Sequence, residues 1–142
     1  MPAPYSGRCL CAAVKLTIST EPVTVLSCFC EHCSKGAGGT HQLIGKFAAK
    51  DVQVTTAAGN DITTYTLTDT ASGNSKEKSF CSKCGCTLWT VPAAAKGTYL
   101  LIRTPLLEQG LDAQPANEIF IRNRPTWVAA VKGAGQWEEA RK

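Results

Sequence analysis

The stretch FCSKCGC, residues 80–86, is one of three short segments that together hold all eight cysteines of the chain. The other two are RCLC, residues 8–11, and CFCEHC, residues 28–33. Close C-x-C and C-x-x-C pairs place two thiolates on one side of a tight turn, which suits metal chelation. Gly85 suits the C-x-x-C-G turn because glycine tolerates a positive φ while backbone N–H groups point at sulfur. The spacing therefore predicts a fold organised around metal-binding cysteine turns.

Length and composition favour one domain over residues 1–142, long enough to bury a sizeable core. Apolar residues make up 44% of the chain and charged residues 18%, within the range of globular proteins. The sequence contains no apolar run of about 18 residues, and its start lacks the pattern of a signal peptide. These features predict a cytoplasmic protein without a membrane partner. In that compartment eight cysteines favour metal binding over a disulfide framework.

The charge balance gives little support to a nucleic-acid partner. The formal net charge is +4 with the cysteines counted as neutral. Seven thiolates on two divalent ions would add −7 and +4 and so leave a net charge of +1. Bulk electrostatics therefore do not favour binding to phosphate backbones.

The chain between the cysteines is typical of a mainly β protein with mostly antiparallel strands. In residues 13–20, Val14, Leu16 and Ile18 alternate with polar residues, as in a half-buried strand. Seven further stretches are predicted as strands, namely residues 23–27, 41–45, 61–67, 76–80, 87–91, 99–104 and 116–121. Turn-forming sequences such as AAGND and TASGN separate several of them. Only residues 48–52 and 135–142 have a helical pattern.

The cysteine spacing predicts two separate metal sites. The first is a closed structural zinc site with two thiolates from each of two turns: Cys9, Cys11, Cys81 and Cys84. The second takes Cys28, Cys30 and Cys33 from one compact loop. Three protein ligands with an open fourth position is the arrangement of catalytic zinc. From spacing alone, three other side chains remain candidates for that position: Cys86, His32 and His41. An iron–sulfur cluster is disfavoured, because no C-x₂-C-x₂-C run is present.

Three cysteine segments occur together in an order that resembles a known family. GRCLCAAVKL, CFCEHCSKGAGG and FCSKCGCTLW are similar to the glutathione-dependent formaldehyde-activating enzyme family, whose domain centromere protein V shares. The tail EIFIRNRPTWVAAVKGAGQWE resembles the C-terminal part of fungal-type members. The resemblance implies a single Mss4-like, mainly β domain with cysteine knuckles that bind two zinc ions. It assigns the structural and catalytic zinc sites to the same cysteines as the spacing does.

The resemblance also implies an activity. The family's namesake reaction joins glutathione and formaldehyde reversibly into S-(hydroxymethyl)glutathione, which makes carbon–sulfur lyase the expected reaction class, with glutathione as co-substrate. A metal ion favours the thiolate over the thiol and can polarise an aldehyde oxygen. Because glutathione has two carboxylates, its expected contacts are Lys35 and the backbone of Gly36, Gly38 and Gly39. Further cationic candidates are Lys46, Arg103, Arg122 and Arg124.

The chain departs from the family pattern at three positions. Ala12 and Ser34 stand where the family often has glycine and a basic residue, and Cys86 stands where it often has Ser or Thr. None of these changes removes a predicted ligand, but Ser34 alters the surroundings of an anionic substrate. The alternative function is a non-catalytic zinc module that binds protein or chromatin. The aldehyde or leaving group and the oligomeric state stay open at this point.

Overall fold

A computed structural model describes residues 3–141. Within that range it contains eleven strands: β1 (Tyr5–Arg8), β2 (Val14–Ile18), β3 (Thr24–Cys28), β4 (Gln42–Ala48), β5 (Val52–Thr56), β6 (Ile62–Leu67), β7 (Lys76–Cys81), β8 (Thr87–Pro92), β9 (Tyr99–Arg103), β10 (Asn117–Ile119) and β11 (Gly135–Trp137). One α-helix, α1 (Glu31–Ala37), follows β3. None of the helices in residues 3–141 is long and apolar enough to cross a bilayer.

The strands form two sheets. The smaller sheet has the order β1-β2-β5, and the larger one has the order β11-β10-β3-β4-β9-β8-β7-β6. Pairing is antiparallel except at one edge, where β10 lies parallel to both β3 and β11. The predicted mainly β fold with mostly antiparallel strands is therefore confirmed. The parallel edge was not predicted.

The main core lies between the two sheets. The alternating residues Val14, Leu16 and Ile18 of β2 point into it and are almost fully buried. From the larger sheet they meet Phe47, Leu88 and Ile102, among others. Burying each such side chain contributes about 1.5–3 kcal/mol. Because this face of the larger sheet is covered, the opposite face is left to form a site.

All eight strands predicted from sequence are present within a few residues of their expected bounds, whereas the helix predictions failed. Residues 48–52 are not a helix: a 3-10 turn, Ala49–Asp51, lies between the last residue of β4 and the first of β5. The helix predicted over residues 135–142 is wrong, because Gly135–Trp137 is a strand paired with β10. A Cβ on Gly135 would lie 2.6 Å from Asn117 Oδ1, so glycine permits this close pairing. Residue 142 lies outside the described residues, as do residues 1 and 2, and the single domain over 1–142 stays a prediction.

The C-terminal segment is held onto the larger sheet by one buried carboxylate. Glu118 on β10 is 2% exposed. Its Oε1 accepts hydrogen bonds from the backbone N–H of Val131 at 2.7 Å, from Gln136 Nε2 at 3.0 Å and from the Arg124 guanidinium at 3.2 Å. These contacts join three parts of the tail to the sheet edge. Trp137 adds a fourth contact through its Nε1–H, which donates to Asn117 Oδ1 at 2.9 Å.

Glu118→Ala is expected to lower the free energy of unfolding by about 3 kcal/mol, because it takes the shared acceptor from a partly buried cation, a backbone N–H and an amide. Urea denaturation measures this change, and limited proteolysis should show earlier cleavage within residues 125–141. Glu139→Gln is the matched control, because Glu139 pairs with Arg122 at an exposed position. The control should change stability by less than about 1 kcal/mol. Equal effects of the two variants would contradict the role given to Glu118.

Candidate active site

Four cysteine sulfurs converge at one end of the interface between the sheets. The Sγ atoms of Cys9, Cys11, Cys81 and Cys84 all lie within 4.8 Å of one another. The Cys9–Cys11 and Cys11–Cys81 sulfur distances are both 3.6 Å. Four thiolates at about 2.3 Å from a tetrahedral metal ion would lie about 3.8 Å apart. The cluster therefore fits a closed four-thiolate metal site.

Backbone geometry at the two turns explains how these sulfurs are presented. Gly85 has a φ of +74°, as expected for the C-x-x-C-G turn. Burial opposes ionisation of Cys84, but backbone N–H groups of Cys86 and Cys11 outweigh it and lower its pKa to about 6. Val14 donates its backbone N–H to Cys9 Sγ at 3.4 Å. A thiol of lowered pKa supplies the thiolate that a metal ion needs.

A second group of sulfurs, Cys28, Cys30 and Cys33, lies on the opposite side of the larger sheet, and these also lie within 4.8 Å of one another. Cys28 ends β3 and Cys30 is the N-cap of α1. Cys33 is in the first turn of α1, where it is buried. The Cys33 backbone N–H donates to Cys30 Sγ at 3.4 Å, so the helix start holds the two ligand positions together. Both cysteine groups could therefore hold a metal ion.

Helix α1 was not predicted, although its sequence carries the signals for one. Glu31 in the first turn and Lys35 in the last turn form an i,i+4 ion pair at 2.7 Å. Gly38 ends the helix with a φ of +67°, a left-handed conformation that favours glycine. At only seven residues, α1 is too short for periodicity to identify it.

The three thiols of the second group are not equivalent. Hydrogen bonds from Cys28 and Cys33 lower the pKa of Cys30, with help from the Cys33 backbone N–H and the charge of Lys76. Sharing these hydrogen bonds with Cys30 and Cys33 raises the pKa of Cys28, and burial adds to the effect. The surroundings of Cys30 therefore favour its thiolate form.

No fourth ligand joins this second group among residues 3–141: no other Cys, His, Asp or Glu donor lies within 4.8 Å of all three sulfurs. Cys86 instead packs near the first cluster, against the main core. His32 Nε2 lies 3.0 Å from Asp69 Oδ1, and His41 Nδ1 lies 2.7 Å from Thr40 Oγ1. None of the three rival candidates therefore completes the ligand group, although His32 lines the cavity beside it.

A cavity of about 940 Å³ opens above the three cysteines. Its floor is the uncovered face of the larger sheet, which presents two rows of cross-strand neighbours. One row is Leu26, Ile44 and Arg103, and the other is Leu101, Thr90 and Lys78. This volume is within the range of sites for small molecules. The cysteine group is therefore accessible from a ligand-sized space.

Cationic side chains dominate the charge of this cavity. Four cations line it: Lys76, Lys78, Arg103 and Arg122. Arg122 pairs with Glu139 at 2.7 Å, but within residues 3–141 the other three have no carboxylate within 4.0 Å. The two acidic residues of the lining, Glu31 and Asp69, contact Lys35 and His32. The cavity is therefore suited to an anionic ligand.

The residues predicted to contact glutathione are placed differently. Gly39 lines this cavity, whereas Lys35 is exposed on the helix and Gly36 borders a second cavity of about 1040 Å³ beside the first cysteine cluster. Gly38 serves as the helix C-cap. Of the other cationic candidates, Arg103 and Arg122 line the cavity.

The two remaining cationic candidates, Lys46 and Arg124, do not line the cavity and contact other side chains. Lys46 lies over the Tyr99 ring, and Arg124 packs over Phe29 while it binds Glu118. Sequence reasoning missed Lys76 and Lys78. Their alternation in KEK, residues 76–78, could have placed both on one face of β7.

Comparison with known proteins assigns the chain to a family. The model of the family described as glutathione-dependent formaldehyde-activating enzyme matches residues 4–123. The chain belongs to this family. The matched region contains all eight cysteines and the four cations that line the cavity. The family relation suggests a glutathione-related enzyme activity.

Other comparisons concern the fold. No curated protein sequence matches the chain at a significant level. A crystal structure of a Rhodobacter sphaeroides protein is similar, with a TM-score of 0.56 and 16% identity over 93% of this chain and 98% of that chain. At this identity the likeness shows a shared fold.

Ala12 is a position where this member of the glutathione-dependent formaldehyde-activating enzyme family departs from the family pattern, which often has glycine. Its φ is +65°, a value that glycine adopts more readily.

Proposed function

We propose that the protein is a zinc-dependent carbon–sulfur lyase that acts on an adduct of glutathione, such as S-(hydroxymethyl)glutathione. The observation that carries this proposal is a group of three thiol ligands, without a fourth from the described residues, under a cavity with three unpaired cations. A zinc ion bound there would stabilise a thiolate in its remaining position and polarise a carbonyl oxygen. The four-cysteine cluster would hold a second, structural zinc ion.

The reaction needs no oxidant or reductant. In the direction of adduct formation, the glutathione sulfur forms a bond to the formaldehyde carbon, and the carbonyl oxygen gains the proton that the thiol loses. Cleavage reverses these changes. The chain supplies the ligand positions of Cys28, Cys30 and Cys33, and it supplies the cationic floor that orients the peptide.

Lys76 and Lys78 are proposed to bind the carboxylates of glutathione. Both side chains are half-buried on the same face of β7, and both lack an ion-pair partner among residues 3–141. A charge-assisted hydrogen bond to a carboxylate is stronger than one between neutral groups. All eight cysteines are free thiols, so we also propose a reducing, cytoplasmic location.

Metal analysis combined with thiol titration tests the proposed function. We expect two zinc ions per chain, and X-ray absorption should show one extra zinc–sulfur bond when glutathione is added. Exchange spectroscopy by NMR should then show faster interconversion of glutathione, formaldehyde and the adduct. Four sulfurs at the second site before glutathione is added would contradict the open position. Glutathione binding without acceleration would point to another adduct. No binding at millimolar concentration would favour an interaction module.

Lys78→Gln is expected to weaken glutathione binding roughly five- to tenfold, because one carboxylate loses a charged partner. Isothermal titration calorimetry at low ionic strength measures the change. Lys50→Gln is the matched control, with the same change of charge at an exposed position outside the cavity. Lys35→Gln tests the sequence-based contact in the same assay, and its position on the outer face of α1 predicts little effect. If the Lys78 variant binds glutathione as tightly as the Lys50 variant does, Lys78 is not a glutathione contact.

A further inference from the structure

Arg103 is an unusual feature of the cavity because it is a buried cation without a carboxylate partner. It is 7% exposed. Its guanidinium donates to the Leu101 carbonyl at 2.9 Å and to Thr90 Oγ1 at 2.6 Å, both neutral acceptors. Its Nε has no partner. Among residues 3–141, no Asp or Glu lies within 4.0 Å of it. A buried charge is costly unless an opposite charge lies nearby.

The negative charges that act on Arg103 are those of the three cysteines. Arg103 is the cross-strand neighbour of Ile44, and Ile44 packs directly with Cys28 and Cys33. Burial lowers the pKa of Arg103, whereas the charges of Cys33, Cys28 and Cys30 oppose this lowering. The guanidinium stays charged in proteins. It therefore lies in the field of the cysteine group and on the floor of the same cavity.

We propose that Arg103 is the fixed counter-charge of the three-cysteine site and that it promotes the uptake of an incoming thiol as its thiolate. This inference rests on the proposed function. Three thiolates and one divalent ion carry a net charge of −1, which Arg103 brings to zero. A thiol that binds with loss of its proton to solvent adds one negative charge. With Arg103 the local charge goes from 0 to −1, and without it from −1 to −2, which is less favourable.

This role differs from recognition of a substrate carboxylate. Lys76 and Lys78 are proposed to bind substrate carboxylates, whereas Arg103 acts on the sulfur itself. The charge of Lys76 also reaches Cys30, but it is the same in the natural protein and in every Arg103 variant. Arg103 should therefore matter equally for glutathione and for an uncharged thiol such as 2-mercaptoethanol. Thr90 is a positioning residue in this arrangement, because its Oγ1 holds one arm of the guanidinium.

The test uses the full chain loaded with cobalt(II), whose thiolate charge-transfer absorption reports each added sulfur ligand. Both thiols are titrated over a range of pH into the natural protein and into Arg103→Gln, Arg103→Lys and Lys50→Gln. For Arg103→Gln we expect roughly tenfold weaker capture of both thiols at neutral pH and an apparent pKa of capture raised by about one unit. Arg103→Lys should recover most of the affinity, and Lys50→Gln should match the natural protein.

Each other outcome has a defined meaning. Loss of glutathione binding alone in Arg103→Gln would make Arg103 a carboxylate contact and overturn the proposal. Unchanged binding of both thiols, or an equal loss in Arg103→Lys, would also overturn it. If Arg103→Gln does not fold, Thr90→Val serves instead and should raise the apparent pKa of capture by a smaller amount; no shift there would contradict the proposal. If the natural protein itself captures neither thiol, the proposed function fails.

Discussion

Cys81→Ser is expected to abolish cooperative folding of the protein at 25 °C. Cys81 is fully buried at the end of β7, and its sulfur lies 3.6 Å from that of Cys11 on the N-terminal turn. A metal ion held there would join the N-terminal turn to the end of β7. Structural zinc supplies about 10–16 kcal/mol in small domains, and a domain of this size has a total stability of about 5–15 kcal/mol. Loss of one ligand weakens metal binding, and full loss of the metal ion would remove an amount comparable with the whole stability.

Circular dichroism and metal analysis measure this effect. We expect loss of the near-ultraviolet signal, fewer than two metal ions per chain and no sharp unfolding transition. Cys86→Ala is the matched control, because Cys86 lies in the same turn but outside the four-sulfur cluster. The control should keep both metal ions and lose only the packing of one small side chain, about 1–2 kcal/mol. A Cys81→Ser variant as stable as the control would show that this cluster does not hold the fold together.

Cys33→Ala is expected to abolish thiol binding at the second site while the protein remains folded. Cys33 lies in the first turn of α1, next to the cavity and apart from the main core. Its loss leaves two sulfurs, too few to hold a metal ion against competition from a chelator. We expect one metal ion per chain rather than two, and catalysis of adduct exchange reduced to the rate without enzyme. Unfolding should remain cooperative, because the four-cysteine cluster is intact.

His32→Ala is the control for this second prediction. His32 was a rival fourth ligand from the sequence, but its Nε2 contacts Asp69 instead. The variant should keep both metal ions and should keep thiol capture within about threefold of the natural protein, the size expected for loss of an exposed pair. Loss of the second metal in this variant would mean that His32 turns inward to complete the site. Thiol capture by Cys33→Ala at the natural level would place the reaction elsewhere.

The sequence predicted the parts of the fold that depend on short-range chemistry. A C-x-C or C-x-x-C pair defines two ligand positions within one turn, so the two cysteine groups could be assigned before the structure. The alternation of Val14, Leu16 and Ile18 likewise identified β2, because a strand repeats every two residues. The C-terminal helix prediction failed because β11 is a three-residue strand whose position depends on pairing with β10. No local pattern distinguishes such a segment.

Only the tertiary structure decided what surrounds CFCEHC. The sequence left Cys86, His32 and His41 as candidates for the fourth ligand, and in the structure none of them joins the group of sulfurs that lie within 4.8 Å of one another. Cross-strand pairing also brought Lys76 and Lys78 of β7 and Arg103 of β9 onto one face of the larger sheet, with β8 between them. Ligand spacing is local and can be read from a few residues. The charge around the ligands is set by cross-strand neighbours, so it is determined only when the sheet forms.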